Sequence, residues 1–337
     1  FFLANLLLFA ALMHTATAEQ NIWIGRAFFI WTSVFNLFVV SIFWALMVDV
    51  FDSEQGKRLF GFIAAGATLG GIFGSTLTAA LAKQVSPIYL LLISAGLLEF
   101  SVFCVRRLSR LADGLHRAAA KPSEQGVIGG SIFAGLKHAV SSPYLLNMGV
   151  YILFFTVTST FLYFQQAEIA RDSFADRGAR TAFFARVDLW VNVLTLGAQL
   201  FLTGRVLRWI GVALTLSMLP LLSVLGFSAL ALTPTIAVLV VYQVIRRAGN
   251  FAFARPTREV LYTVVPREDK FKAKSFIDTA VYRFGDQVGA WSYAGLGMIG
   301  LGMTGISMVA VPLSLAWLVN ALWLGRKQKT LEQAANV

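Results

Sequence analysis

The chain has 337 residues, of which 57% are hydrophobic and 13% are charged, and its mean hydropathy is +0.71. These values exclude an ordinary soluble globular protein and indicate a chain that lies largely in a membrane. The single cysteine, Cys104, excludes an intramolecular disulfide and a cysteine-based metal site. The sequence contains no nucleophile elbow, phosphate-binding loop or metal-ligand helix motif, so we expect neither an enzyme nor a bound cofactor.

Ten apolar stretches follow one another along the chain, each long enough or nearly long enough to cross a bilayer. A hydrocarbon core about 30 Å thick needs ~20 apolar residues in helical form. We therefore predict an all-α membrane protein with about ten transmembrane helices. The predicted spans are residues 1–17, 26–51, 59–82, 88–105, 144–164, 181–203, 211–232, 235–262, 275–300 and 304–325.

Basic residues are distributed unevenly between the two sides of the membrane. If the longest loop, 106–143, is cytoplasmic, 17 Lys and Arg residues lie in cytoplasmic segments and 5 lie on the opposite side. This is the bias of the positive-inside rule. It accounts for the net charge of +11 without a nucleic-acid-binding surface, so nucleic acid is not an expected partner. We expect the 106–143 loop and the C-terminus to be cytoplasmic.

Four predicted spans precede the 106–143 segment and six follow it. Transporters of the major facilitator type have two six-helix halves. The pattern therefore predicts a major facilitator-type two-bundle transporter fold, of which this chain holds the last ten of twelve helices. The expected domains are an N-terminal bundle at 1–105, a cytoplasmic linker at 106–143, a C-terminal six-helix bundle at 144–325 and a cytoplasmic tail at 326–337.

An internal repeat supports the two-bundle prediction, because a shift of 215 residues lays the first half of the chain on the second. An acid and a lysine three residues apart recur, followed at the same distance by a pair of glycines four residues apart. We predict that the halves are parallel repeats and that the glycines allow close helix packing. The matched pairs are Glu54 with Asp269, Lys57 with Lys272, Gly70 with Gly285 and Gly74 with Gly289.

Ionisable side chains inside the apolar stretches indicate a polar interior. A charge at membrane depth costs at least ~2.5 kcal/mol, so such groups usually face the bundle interior or a watery cavity. Arg246 and Arg247 have no acid within one turn on their own helix, and with Asn250 they are the first substrate-binding candidates. An interhelical salt bridge is the alternative for both arginines. Because arginine favours bidentate contact with carboxylate or phosphate, the predicted substrate is an organic anion.

A polar stripe on the sixth predicted span favours a lined pathway, since its members recur at helical spacing. Tyr151 on the fifth span and Trp44 on the second are further candidates for contact with the substrate. For Trp44, an interfacial anchor is the alternative to stacking on a flat ligand. The stripe consists of Asp188, Asn192, Thr195 and Gln199.

Other charged residues are candidates for gating or ion coupling. Arg255 and Glu259 are four residues apart, and Arg283 and Asp286 are three apart, so each pair can form along one helix face. For the charges nearest the cytoplasmic loop, snorkelling or a structural gate is as plausible as ligand contact. Glu99 is a candidate proton-coupling carboxylate or a buried partner for an arginine. The full set is Arg255, Arg258, Glu259, Asp278, Arg283, Asp286 and Glu99.

Motifs in both halves resemble those of one transporter family. In the second half the motifs are Arg255-Pro256-Thr257-Arg258-Glu259-Val260-Leu261-Tyr262, Lys272-Ala273-Lys274, Ile277-Asp278 and Arg283-Phe284-Gly285. In the first half they are Phe43-Trp44, Glu54, Lys57-Arg58 and Gly61. Together they resemble the ATP/ADP translocase family of plastids and obligate intracellular bacteria. The first motif is similar to the family's Arg-Pro-x-basic-Glu-x-x-Tyr segment.

This resemblance implies a facilitator-like fold and exchange of nucleotides across the lipid bilayer by alternating access, in a bacterial inner membrane. Asp286 departs from the family, which tends to place a lysine after the corresponding glycine. A carboxylate there would repel a phosphate by several kcal/mol in a poorly screened site. Two alternatives to a transporter of organic anions stay open. One is a non-transporting membrane scaffold or assembly factor that binds a protein partner, and the other is a lipid-headgroup flippase.

Overall fold

The computed structural model describes residues 2–81, 87–118, 139–174 and 177–335. Within these ranges the regular structure is helical and contains no strand, which confirms the all-α prediction. The principal helices are α1 (Phe2–Thr15), α2 (Ala18–Val50), α3 (Ser53–Leu81), α4 (Pro87–Ala118), α5 (Pro143–Ser173), α6 (Arg177–Phe201), α7 (Thr203–Leu232), α8 (Ile236–Gly249), α9 (Arg255–Leu261), α10 (Arg267–Phe276), α11 (Tyr282–Met298) and α12 (Met303–Ala335).

Every predicted span coincides with a helix or with a run of consecutive helices. Six of the described helical segments are long and apolar enough to cross a membrane. The other predicted spans coincide with helices that fall short of that standard of length or hydropathy. The structure therefore supports an integral membrane protein, and the count of ten spans stays a prediction. The six segments are Glu19–Val50, Ile88–Leu108, Pro143–Ser173, Thr203–Leu232, Ile236–Val264 and Met303–Ala334.

Several helices continue well past the predicted ends of their spans. Helix α12 has 33 residues and is therefore about 50 Å long, which exceeds the thickness of a hydrocarbon core. Its final turns form part of the predicted tail at 326–337. The predicted linker at 106–143 begins inside α4, and its part at 119–138 lies outside the described residues. Polar helix ends persist because their backbone hydrogen bonds are made within the helix.

The chain forms two compact units, which are Phe1–Phe43 with Leu69–Gly129 and Trp44–Thr68 with Gly130–Val337. The second unit thus combines the end of α2 and the first half of α3 with the C-terminal helices. One apolar cluster of this unit includes Phe161, Phe227 and Tyr242 from α5, α7 and α8. Most of the candidate residues lie in this second unit.

Two π-helical turns interrupt the helices of the second unit. Asn250–Ala254 joins α8 to α9, and Ile277–Val281 joins α10 to α11. Such turns are rare and are frequent at functional sites. In the first of them, Gln199 donates a hydrogen bond to the Phe251 carbonyl at 3.1 Å, and Thr203 donates one to the Ala252 carbonyl at 2.7 Å. Side chains of α6 and α7 therefore hold this turn in place.

Glycines of the second half bring α11 close to α5. A Cβ atom at Gly289 would lie 2.9 Å from Thr160 Cβ and 3.1 Å from the backbone of Val157, and a Cβ at Gly285 would overlap Thr156. At the repeat-matched Gly70 and Gly74, no described atom lies within 4 Å of such a Cβ. The predicted packing role therefore holds for the second pair of glycines only.

We expect Gly289→Ala to lower the melting temperature of the purified protein and Gly74→Ala to leave it unchanged or slightly raised. The added methyl group is forced against α5 in the first variant, and overpacking of this kind costs about 1–3 kcal/mol. The second variant gains helix propensity without a clash. Thermal unfolding of both proteins in one detergent provides the comparison, and equal melting temperatures would contradict the close packing.

Candidate functional site

Arg246 of α8 is buried and is held by hydrogen bonds to two neighbouring helices. Its Nε donates to Ser223 Oγ on α7 at 3.1 Å, and its Nη1 donates to Ser159 Oγ on α5 at 3.1 Å. Its Nη2 donates to Thr158 Oγ1 at 2.9 Å and to the Phe155 carbonyl at 3.5 Å. The residue is only 3% exposed. A guanidinium group with five donors is thus largely satisfied by the bundle itself.

The groups that form hydrogen bonds with this guanidinium in the described part of the chain are all neutral. Ser159 and Thr158 donate their own protons to carbonyls of α5, and Ser223 donates to the Leu219 carbonyl, so each hydroxyl presents lone pairs to Arg246. The Phe155 ring lies 5.5 Å from the guanidinium carbon. Among the described residues, no carboxylate comes within 4.0 Å of Arg246, and its charge is left without a counter-ion.

Arg247 has a different environment, although it is the next residue. Its Nη1 donates to Asp188 Oδ1 at 2.6 Å, and the side chains are 36% and 54% exposed. The salt bridge considered as an alternative for both arginines is therefore present at Arg247. Exposed pairs of this kind contribute about 0–1 kcal/mol to stability.

Two buried and two partly buried charges form a neutral cluster where α9 meets α10 and the second π turn. Lys274 Nζ lies 3.0 Å from Glu259 Oε2 and also contacts Asp278, while Arg258 Nη2 lies 3.7 Å from Asp278 Oδ1. Lys274 is fully buried, and Glu259 is 1% exposed. We call Arg258, Glu259, Lys274 and Asp278 the charge tetrad, in which two cations balance two anions.

Lys274 is the member of the tetrad that sequence reasoning missed as a site residue. It precedes the predicted span at 275–300, so the sequence predicts that it lies in a cytoplasmic loop. Its spacing of four residues from Asp278 is the signal that could have identified it, because side chains at this spacing meet on a helix. Its position also changes the expected partner of Glu259, which pairs with Lys274 and not with Arg255.

The predicted pair between Arg283 and Asp286 is present, with 3.7 Å between Nη1 and Oδ2. Both side chains are partly exposed, at 54% and 38%. The pair lies one turn beyond the second π turn, on α11. Asp286 is therefore a carboxylate that remains accessible from outside the unit.

The polar stripe of α6 divides into two parts. Thr195 and Gln199 are buried, and Gln199 accepts a hydrogen bond from Thr68 Oγ1 at 2.8 Å in addition to its contact with the first π turn. Asp188 and Asn192 are exposed. The inner half of the stripe thus has a structural task, and the outer half presents polar groups at the surface of the second unit.

Aromatic side chains pack beside Arg246. Tyr151 is buried, donates to the Leu216 carbonyl at 3.3 Å and meets the Trp317 ring edge-on at 5.3 Å. The rings of Phe155 and Tyr282 lie 6.2 Å apart. Tyr282 is less buried than Tyr151 and lies within electrostatic range of Arg246, Arg255 and Arg258.

The remaining candidates are placed as follows. Trp44 is 3% exposed and packs edge-on against Phe60 at 5.5 Å. Asn250 begins the first π turn. Glu99 is exposed on α4, in the other unit. In the described parts of the chain, no group of three or more His, Cys, Asp or Glu side chains could hold a metal ion.

A cavity of about 420 Å³ lies between α6, α7 and α8. Apolar side chains such as Val193, Leu194, Met218 and Leu222 line it, and Phe253 of the first π turn closes one side. No charged side chain lies in this lining, and the hydroxyl of Thr215, which does, already donates to the Gly211 carbonyl at 2.7 Å. The cavity is therefore unsuited to an anion.

A further set of charges lies at the turn between α2 and α3. Lys57 Nζ lies 2.7 Å from Glu54 and 3.2 Å from Glu332 near the end of α12, and Arg267 Nε lies 3.2 Å from Asp49 Oδ2. We call Asp49, Lys57, Arg267 and Glu332 the turn cluster. It connects the helix ends of the first repeat with those of the second, inside one compact unit.

Burial of Lys57 disfavours its charged form, but the hydrogen bond to Glu54 and the charge of Glu332 outweigh this effect and raise the pKa of Lys57. A group whose pKa is raised stabilises the arrangement at all pH values below its ordinary pKa. The contribution is lost only as the pH rises through the raised pKa. The turn cluster therefore keeps its lysine charged throughout the physiological range.

Comparison with solved structures identifies the class of fold. The chain superimposes on the proton:xylose symporter XylE with a TM-score of 0.56, at 14% identity over 83% of this chain and 66% of that one. FucP in the outward conformation gives a TM-score of 0.53, at 13% identity over 83% and 71% of the two chains. Both are major facilitator proteins, so this chain has the major facilitator fold of an integral membrane protein.

Sequence comparison gives a narrower similarity. ADP,ATP carrier protein 1 of Chlamydia muridarum is 21% identical over 344 residues, which cover 90% of this chain and 65% of that protein. ADP,ATP carrier protein 1 of Chlamydia trachomatis is 21% identical over 361 residues, or 93% and 68% of the two chains. The chain thus spans about two thirds of the length of these relatives. No protein-family model matches it. The resemblance to ATP/ADP translocases is confirmed.

We expect Lys274→Met to destabilise the protein far more than Lys272→Met. The first change leaves a buried carboxylate without its cation, which typically costs 3–5 kcal/mol. The second removes a partner of Glu268, which is 48% exposed and can be solvated by water, so we expect a smaller cost. Melting temperatures of the two variants in detergent test the difference.

The double variant Glu259→Gln with Lys274→Met provides the control for this prediction. Removing both charges should recover much of the lost stability, because the buried carboxylate is no longer ionised. A double variant as unstable as Lys274→Met alone would contradict the pairing of these two residues.

Proposed function

We propose that this protein is a secondary active transporter that carries an organic anion across the membrane by alternating access. The observation that carries the proposal is the buried Arg246, whose charge has no acidic partner among the described residues. A cation left uncompensated at membrane depth is costly, and such residues mark substrate and ion pathways. A bundle that tolerates the cost gains a positive interior that attracts an anion.

Nucleotides are the anions favoured by similarity, since the relatives from Chlamydia are named ADP,ATP carrier proteins. Asp286 acts against this preference, because its carboxylate is accessible and lies beside Arg283. A negative charge near the route weakens the binding of phosphate groups. The transported anion is therefore to be sought among nucleotides and among less highly charged carboxylates.

The experiment is uptake into liposomes that contain the purified full chain. Labelled ATP, ADP, phosphate and citrate are offered outside, with the same unlabelled anion inside to allow exchange. We expect saturable uptake of at least one of these anions, reduced at least tenfold by Arg246→Gln and changed little by Arg247→Gln. The adjacent arginine is a matched control, because Asp188 already compensates its charge.

Expression level and melting temperature of both variants are measured beside uptake. An Arg246→Gln protein that folds and transports like the wild type would exclude Arg246 as the source of the anion preference. Absence of uptake for every anion of the panel would contradict the proposed function as a whole.

Alternating access requires that one side of the substrate route closes while the other opens. The turn cluster supplies contacts suited to this task, since Lys57, Glu332, Asp49 and Arg267 bring helix ends of both repeats together. Lys270 adds a hydrogen bond to the Val48 carbonyl at 3.4 Å. By the positive-inside rule these residues lie at the cytoplasmic face. We infer that they close the cytoplasmic side in the conformation described here.

We expect Glu332→Lys to open this side, because it places two cations together, and we expect the exchange Lys57→Glu with Glu332→Lys to restore closure. Val48 is 1% exposed and serves as a reporter when it is replaced by cysteine in a Cys104→Ser background. A membrane-impermeant maleimide applied to the cytoplasmic side should label the single variant quickly and the exchanged pair slowly. Equal labelling rates in all proteins would contradict a closing role.

A further inference from the structure

Arg255 occupies a distinctive position among the charges of the second unit. It is the first residue of α9 and directly follows the π turn Asn250–Ala254. Its nearest charged neighbours are Arg258, Glu259 and Asp278, all of which belong to the charge tetrad. Because the tetrad is neutral in itself, Arg255 adds one positive charge to the group.

Glu259 and Asp278 act on this charge from a distance, but no carboxylate in the described part of the chain forms a salt bridge with it. Carboxylates of that part stay more than 4.0 Å from the Arg255 guanidinium, and no side chain or carbonyl there forms a hydrogen bond with it. Glu259 is turned towards Lys274, and Asp278 contacts both Lys274 and Arg258. The acids that could neutralise Arg255 are therefore held elsewhere.

Arg255 also differs from Arg246 in how many of its hydrogen-bond donors have an acceptor among the described residues. Arg246 donates four hydrogen bonds to the bundle, whereas the donors of Arg255 are free for another molecule. Arg255 is neither fully buried nor fully exposed. A partly buried guanidinium group without acceptors is unfavourable unless a ligand or water supplies them.

Tyr282 is close enough to both arginines to interact with them electrostatically. It is within electrostatic range of Arg255 and of Arg246, and its ring packs near Phe155, which also supplies a carbonyl to Arg246. The phenol group can donate one hydrogen bond. A guanidinium fork, a phenol donor and a second positive charge behind them are suited to the oxygens of a phosphate or carboxylate group.

We propose that Arg255 and Tyr282 bind the anionic group of the transported ligand, and that Arg246 strengthens this site through its charge without touching the ligand. The inference rests on the proposed function and assigns a binding role to Arg255, for which the sequence predicted gating. Arg255 contributes the fork that contacts the oxygens. Within the charge tetrad, Glu259 and Asp278 pair with Lys274 and Arg258, so neither acid forms a salt bridge with Arg255.

The test uses the purified full chain in detergent and two probes, ADP for phosphate oxygens and citrate for carboxylates. Dissociation constants and ligand-free melting temperatures are measured for the wild type, Arg255→Gln, Arg255→Lys and Tyr282→Phe. The matched control is Arg171→Gln at the end of α5, where Asp172 is already a partner at 3.4 Å and both side chains are exposed.

We expect Arg255→Gln to weaken binding of the preferred probe at least tenfold, and Tyr282→Phe to weaken it about threefold to tenfold. Arg255→Lys should recover part of the affinity, since it keeps the charge without the fork. Arg171→Gln should bind within a factor of two of the wild type. The empty Arg255→Gln protein should melt at the same temperature as the wild type or higher, because an uncompensated charge has been removed.

The outcomes separate the two levels of the proposal. If the wild type binds neither probe and transports none of the anions tested above, the proposed function fails and this inference with it. If the wild type binds a probe and Arg255→Gln binds it equally well, the inference fails while the proposed function stands. A lower melting temperature of the empty Arg255→Gln protein would show that Arg255 stabilises the bundle, and would overturn the binding role.

Discussion

Charges buried among apolar helices must find compensation where they lie, and this requirement organises the second unit. The desolvation of an ion in a low-dielectric interior costs several kcal/mol, and only a close partner offsets it. Lys274 meets the requirement by contacting two carboxylates, and Arg247 meets it with Asp188 near the surface. Arg246 meets it only in part. Hydroxyl and carbonyl oxygens accept hydrogen bonds from its guanidinium, but they do not neutralise its charge.

The irregularities of the backbone follow from the same requirement. The first π turn precedes the charge tetrad along the chain, and the second contains its member Asp278. Both turns alter the rotation of the helix that follows, α9 or α11, relative to the helix that precedes it. The first of these turns needs Gln199 and Thr203 to satisfy its carbonyls, which explains why polar side chains of α6 and α7 are buried there. Close packing of α11 on α5 at Gly289 then brings Tyr282 near Phe155.

A transporter has to be stable although its interior keeps groups that are satisfied only when the substrate binds. The distribution of charges in this protein is suited to both requirements. The tetrad and the turn cluster are internally compensated, so they connect helices without attracting a ligand. Arg246 and Arg255 form no salt bridge within the described residues, and a substrate anion would neutralise their charge. Functional sites are commonly the places where a protein departs from the rules that stabilise the rest.

The sequence by itself determined the helical membrane class, the places of the helices and the resemblance to ATP/ADP translocases. Hydropathy and short motifs are local properties, so they can be recognised without a fold. It also identified the Arg283–Asp286 pair, because both residues lie on one helix face. Only the tertiary structure decided that Lys274 and not Arg255 neutralises Glu259, that Arg246 and Arg247 differ, and that Gly289 packs closely while Gly74 does not. These outcomes depend on how helices distant in sequence face one another, and no local pattern records that.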